Sequence, residues 1–177
     1  MKPEIILIRA YGRDEGFKTL PFGILDITSY LEKFGFEVEI IDRHNHKTSF
    51  STTLKNIIHW NPHYVGISAM THQADDALKL GKYIKRHLKI PLIYGGLHFT
   101  IFPEEGLDVG DIVVKGEGEN ALLEILNNGI NGKRIYTAQP VIDLDSIPLP
   151  KEDLIKALAW DHRSSSVLAS RGCPYNC

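Results

Sequence analysis

Along the first 130 residues, five short apolar runs alternate with stretches of helical spacing. The runs are residues 4–9 (EIILIR), 37–42 (EVEIID), 64–70 (YVGISAM), 91–94 (PLIY) and 111–115 (DIVVK). Runs this short, mostly unbroken by polar residues, suit strands buried on both faces. Between the first two, Pro21 suits the first turn of a helix, where its missing N–H costs nothing. Ile24, Ile27, Leu31 and Phe34 then recur at helical spacing, and Gly35 supplies a stop. The clearest helix covers residues 73–88, with Ala77, Leu80, Ile84 and Leu88 on one face. Lys79, Lys82, Lys85 and Arg86 read as its solvated side. Residues 43–53 read as polar loop, and residues 54–60 as a short helix ended by Asn61-Pro62. One or two turns at 103–107 and a helix at 119–126 complete the alternation. Such a pattern argues for a parallel sheet with helices on both faces, and right-handed crossovers then leave few topologies. The expected fold is α/β: a flavodoxin-like, Rossmann-like, doubly wound five-stranded sheet of order 2-1-3-4-5. Its switch point lies between the first and third strands.

From about residue 131 the texture changes. Pro148 and Pro150 break any helix in VIDLDSIPLP. The expected organisation is a domain over residues 1–130, a linker over 131–164 with a short helix at 151–160, and a strand at 165–170 opening a new element. A chain of 177 residues buries enough surface to fold without staples. Its formal net charge of −2 gives no general attraction to nucleic acid or anionic membrane. The apolar runs are too short for a membrane span or a secretory signal, so a cytoplasmic protein is expected.

Three strand ends should converge on one rim of the sheet, where ligands of open α/β sheets bind. The third ends in Ser68-Ala69-Met70-Thr71, the fourth in Gly95-Gly96, followed by His98, and the fifth in Lys115-Gly116-Glu117-Gly118-Glu119. Small residues and hydroxyls concentrate there. Glycine walls suit a flat or elongated ligand, and the helix starts that follow can offer backbone N–H groups. A dinucleotide suits the groove less well, because no GxGxxG follows the first strand and no GxxxxGK[ST] loop is present. His44 and His46 are spaced like two ligands on a strand but lie in a polar segment without cysteine or clustered acids, which disfavours a metal site. The only cysteines are Cys173 and Cys177, in CPYNC. A disulfide there closes too small a loop to stabilise much, so a metal or redox pair is the better reading. Because the chain ends on the second cysteine, a fragment of a longer protein is expected.

These stretches, in this order, resemble the N-terminal cobalamin-binding domain of cobalamin-dependent radical S-adenosylmethionine proteins. The resemblance is carried by Leu20-Pro21-Phe22-Gly23-Ile24, Val65-Gly66-Ile67-Ser68, Gly95-Gly96-Leu97-His98 and Gly116-Glu117-Gly118-Glu119. It continues through Asp143-Leu144-Asp145-Ser146-Ile147-Pro148 and Ser170-Arg171-Gly172-Cys173-Pro174-Tyr175-Asn176-Cys177. It implies that Ser68 and Met70, with Thr71 beside them, line the pocket for the nucleotide tail. It implies that Gly95 and Gly96 let the tail pass, with His98 on the same rim. Gly116, Glu117 and Gly118 would border the pocket, and the loop of Pro21, Phe22 and Gly23 would approach the corrin face. Cys173 and Cys177 match the first two cysteines of a CxxxCxxC motif that ligates a 4Fe–4S cluster. In the full-length protein that cluster would bind S-adenosylmethionine, and the radical-enzyme barrel would follow in the same chain. One departure bears on the metal. The segment Ala10-Tyr11-Gly12-Arg13-Asp14-Glu15-Gly16 holds no histidine where methionine-synthase-type domains carry their axial ligand. Cobalamin would then bind without histidine ligation, with Tyr11 or Arg13 covering its lower face.

The resemblance implies a cobalamin-binding domain of a radical enzyme, with methyl transfer or related radical chemistry on an unactivated carbon. This chain alone would be inactive. The alternative is a cobalamin-free scaffold or interaction domain that keeps the fold. A receiver-like signalling domain shares the topology, but Asp14, Glu15 and Lys115 only loosely imitate its acidic cluster and lysine.

Overall fold

A computed structural model describes residues 2–12, 19–132, 134–137, 139–158 and 170–172. Six strands form one sheet: β1 (Ile5–Arg9), β2 (Val38–Asp42), β3 (Tyr64–Ser68), β4 (Leu92–Gly95), β5 (Ile112–Lys115) and β6 (Ile135–Thr137). Their order is β2-β1-β3-β4-β5-β6, and every pairing is parallel. This is the flavodoxin-like Rossmann-type arrangement, with one strand more than the alternation predicts. The register aligns Arg9 with Asp42 and with Ser68, and Ser68 with Gly95, so these strands end level.

The period of two divides the core. Ile5, Leu7, Ile93, Ile112 and Val114 face α1 (Phe22–Lys33) and, later in the chain, α7 (Gly118–Asn128), where Ile24, Leu31, Leu122 and Ile125 meet them. Ile6, Ile8, Val65, Ile67, Tyr94 and Val113 lie in the opposite cluster. That cluster includes Ile57 of α3 (Phe50–Trp60) and Ala77, Leu80 and Ile84 of α4 (Ala74–His87). Between them in the chain, α2 (Arg43–His46) follows β2 directly. Two short helices, α5 (Leu97–Ile101) and α6 (Pro103–Leu107), link β4 to β5, and α8 (Glu152–Ala157) lies in the C-terminal part. No helix of the described residues is long and apolar enough to cross a membrane.

Three expectations need correction. Residues 43–53 are not loop throughout. Asp42 accepts a hydrogen bond from the Asn45 N–H and starts α2, and the Ser49 hydroxyl accepts from the Thr52 N–H and starts α3 four residues ahead of the expected helix. The polar residues that read as loop are therefore caps. Lys85 is not simply solvated, because its Nζ bonds Asp111 and the Ile90 carbonyl. β6 arises in a stretch of linker-like texture: it is an edge strand of three residues, and only Tyr136 is buried. The strand expected at 165–170, apart from Ser170, lies outside the described residues, as do Arg13, Cys173 and Cys177.

Candidate functional site

On the face covered by α1 and α7, the carboxyl ends of the central strands do not meet the helices. They leave a cleft of about 410 Å³. Leu7, Gly66, Ile93 and Val114 line it from the sheet, Phe22, Gly23, Asp26 and Ile27 from α1, and Gly118, Glu119 and Leu122 from α7. Ser68, Gly95, Gly96, Gly116 and Glu117 form the strand-end rim, and Arg171 stands at the mouth. Neither helix has a side-chain cap at its start, and in α1 the Ile24 N–H already donates to the Pro21 carbonyl at 2.9 Å.

The two adjacent glycines do different work. Gly96 has φ of +90°, and a Cβ there would lie 2.8 Å from both the Ala69 carbonyl oxygen and Ser68 Oγ. It is required by the backbone, which returns to β3 through the His98 N–H donating to the Ala69 carbonyl at 3.1 Å. Gly95 lacks that constraint: the nearest atoms to a Cβ there are the Val114 oxygen and Cβ, 3.9 and 4.0 Å away. A side chain at Gly95 would enter the cleft instead of the core. Thr100 secures the next rim segment, donating to the Gly96 carbonyl and accepting from the Gly116 N–H, each at 3.0 Å. The Ser68 hydroxyl has no hydrogen-bond partner among the described residues.

Of the residues singled out from the sequence, the fold brings Phe22, Gly23, Ser68, Gly95, Gly96, Gly116, Glu117 and Gly118 to this one cleft. Four do not line it. Pro21 is the residue before α1, buried, its carbonyl accepting from the Ile24 and Leu25 N–H groups. Met70 and Thr71 are exposed on the turn beyond β3. His98 is buried in α5 with its Nε2 3.3 Å from Glu105 Oε2 and its ring against Phe99 and Phe102. Tyr11 also lies outside the lining, its N–H donating to Asp76 Oδ2.

Two polar residues of the cleft, Arg171 and Asp26, escaped the sequence reading, whereas Glu119 was already expected on the rim. Arg171 donates from Nη1 to Glu119 Oε1 at 2.7 Å and from Nη2 to Asp26 Oδ2 at 2.6 Å, with Glu117 Oε2 3.6 Å from Nη1. Burial alone would lower the guanidinium pKa. The hydrogen bonds and charges of Glu119 and Asp26 outweigh it, and the net shift is upward. Asp26 and Glu119 stand at the starts of the two helices, but nothing in the sequence pairs them with an arginine 145 and 52 positions away.

The chain's similarities agree with this geometry. Residues 8–126, from β1 into α7, match the family model described as the B12 binding domain. An uncharacterized methyltransferase of Pyrococcus horikoshii is 33% identical over 181 residues, which cover 89% of this chain and 39% of that protein. A bacteriochlorophyllide d C-8(2)-methyltransferase of Chlorobaculum tepidum is 27% identical over 173 residues, covering 93% of this chain and 36% of that one. The chain thus spans well under half the length of these relatives. Two solved structures share the fold. The cobalamin-dependent S-adenosylmethionine radical enzyme OxsB, with aqua-cobalamin and S-adenosylmethionine bound, matches with a TM-score of 0.73 at 20% identity, over 89% of this chain and 25% of that one. The radical S-adenosylmethionine methyltransferase TsrM from Kitasatospora setae, with cobalamin and a 4Fe–4S cluster bound, matches with a TM-score of 0.61 at 21% identity, over 74% of this chain and 25% of its own. With the family model running through the strands and helices that wall the cleft, the chain belongs to the B12-binding domain family.

Proposed function

We propose that this chain holds cobalamin, with the cofactor's nucleotide tail in the cleft between α1, α7 and the sheet, as the cofactor-binding part of a radical S-adenosylmethionine methyltransferase. The observation that carries the reading is the cleft over Gly95, where a Cβ would make only van der Waals contact with Val114, beside a Ser68 hydroxyl that has no partner among the described residues. These residues fit the group. Leu7, Ile93 and Val114 offer an apolar surface to a flat base, while Ser68 Oγ and the helix starts, which no side chain caps, offer hydrogen bonds to its polar tail. Gly23, where a Cβ would meet nothing within 4 Å, leaves the α1 side of the entrance open.

Bound cobalamin supplies the methyl-transfer chemistry, and the protein's part is binding and orientation. Ser68 fixes the tail by one hydrogen bond, Gly95 keeps the space clear, and Gly96 sets the path of the rim. Cys173 and Cys177 would supply two thiolates to an iron–sulfur cluster completed by a further cysteine in a longer chain, whose barrel would carry the substrate site. Cobalamin would be held without a histidine ligand from the segment after β1.

The test is a titration of the chain with hydroxocobalamin, followed by desalting and visible absorption. Near-stoichiometric retention is expected. After reduction to Co(II), the electron paramagnetic resonance should show no nitrogen-ligand splitting. Gly95→Val should fold normally and retain none. The valine belongs at Gly95 and not at Gly96, where the positive φ and the close Ala69 backbone would break the rim itself. Retention by Gly95→Val equal to wild type would rule out this cleft, and no retention by wild type would favour a cofactor-free scaffold.

A further inference from the structure

Arg171 stands two residues ahead of Cys173 in the chain, yet its guanidinium bridges the two helical walls of the cleft. Every hydrogen bond and ion pair that residues 170–172 make with other described residues comes from this side chain. Its two bonded partners belong to opposite walls: Asp26 to α1 and Glu119 to α7. Both are well shielded, the Glu119 side chain being 3% and the Asp26 side chain 16% exposed. The third carboxylate, Glu117, is itself held by the Val141 N–H at 2.8 Å. One planar fork thus spans the cleft and sets the separation of two carboxylates that otherwise repel each other. The helices are close-packed just below, where a Cβ at Gly118 would lie 2.5 Å from Ile27 Cδ1. The spacing at the mouth and the position of residue 171 are therefore one variable.

We infer that Arg171 is a positioning residue that couples occupancy of the cleft to the placement of the chain segment leading into Cys173. A ligand seated between α1 and α7 sets the distance that the fork spans, and the fork sets where residues 170–172 lie. By linkage, whatever orders residues 170–172 tightens the hold on the ligand by the same factor. Lysine keeps the charge but not the fork, so the coupling depends on guanidinium geometry and not on net charge alone. The inference rests on the cobalamin reading and reaches beyond it, from where the cofactor sits to how its presence is felt at the cysteine-bearing segment.

The experiment is hydrogen exchange by mass spectrometry on the chain, with and without hydroxocobalamin, alongside equilibrium dialysis for affinity. In wild type, hydroxocobalamin should slow exchange in the first turns of α1 and α7 and also at residues 170–172. In R171A and R171K, protection at 170–172 should vanish while that in α1 and α7 persists, and affinity should fall about tenfold, within the range of ordinary coupling energies. D26N, which attacks the clasp from the other wall, should cost a similar factor, and R171A/D26N no more than either alone. It also guards against a folding defect specific to the Arg171 variants. If wild type binds hydroxocobalamin but R171A and R171K bind equally well, or if exchange at 170–172 ignores the ligand, the coupling is wrong and the cobalamin reading stands. If wild type binds none, the cobalamin reading falls and the coupling falls with it.

Discussion

A glycine in the interior of a 14-residue helix ordinarily costs about 1 kcal/mol against alanine. At Gly81 in α4 the sign should reverse. A Cβ there would lie 1.9 Å from Tyr94 Oη and 3.0 Å from Leu92 Cδ2. Tyr94 cannot yield. It is fully buried, its hydroxyl donates to the Ala77 carbonyl at 3.1 Å, and burial pushes its pKa well above the usual phenol range. Gly81→Ala should therefore destabilise the protein by about 2 kcal/mol in urea unfolding, as overpacked cores do. In a Tyr94→Phe background, which removes the colliding oxygen, the same substitution should cost markedly less. Equal costs in both backgrounds would place the strain elsewhere. Residue-scale detail of this kind was only partly legible beforehand. The Gly95-Gly96 pair is visible as a pair, but the sequence treats its members alike, whereas Gly96 is held by its positive φ and Gly95 lies along the cleft without that constraint. Arg171 was invisible as a site residue for a different reason: its partners are long-range, and no local pattern encodes them.

At the scale of elements, legibility followed burial. β1 and β3 to β5, packed by helices on both faces, carry apolar runs and could be read directly. β6 could not, because an edge strand of three residues with one buried side chain leaves almost no pattern. Edge strand β2 lies between these cases, and its Glu39 offers a test. Desolvation, followed by the charges of Glu37 and Glu32, raises the Glu39 pKa above the usual carboxylate value. The native state therefore binds this proton more tightly than the unfolded chain does. Its contribution to stability is present below the ordinary carboxylate pKa and is lost as pH rises through the raised one. Glu39→Gln removes the charge without changing the shape. It should melt at a higher temperature than wild type at pH 7, and the gap should close as the pH approaches 4. A gap that widens on acidification would mean that the Glu39 carboxylate is a stabilising partner in the folded sheet.

For the molecule as a whole, the cleft joins two helices, four strand ends and Arg171, so filling it should be felt by the entire cooperative unit. A ligand that binds only the native state stabilises it by mass action, about 2.7 kcal/mol at a hundred times its Kd. For a protein of this size each 1 kcal/mol moves Tm by roughly 2–4 °C. Hydroxocobalamin at that excess should then raise Tm by about 5–10 °C, measured by circular dichroism at a far-ultraviolet wavelength where protein signal dominates. Gly95→Val separates this effect from weak association with the outer surface. A Cβ at this position meets only ordinary contact distances and the rest of the valine would extend into the cleft, so Tm without ligand should stay near wild type, while the ligand-induced rise should disappear. Equal rises in both proteins would place the corrinoid on some other surface. A variant that melts lower without ligand would show that Gly95 also serves the fold, and the open space above Val114 would no longer by itself identify the pocket.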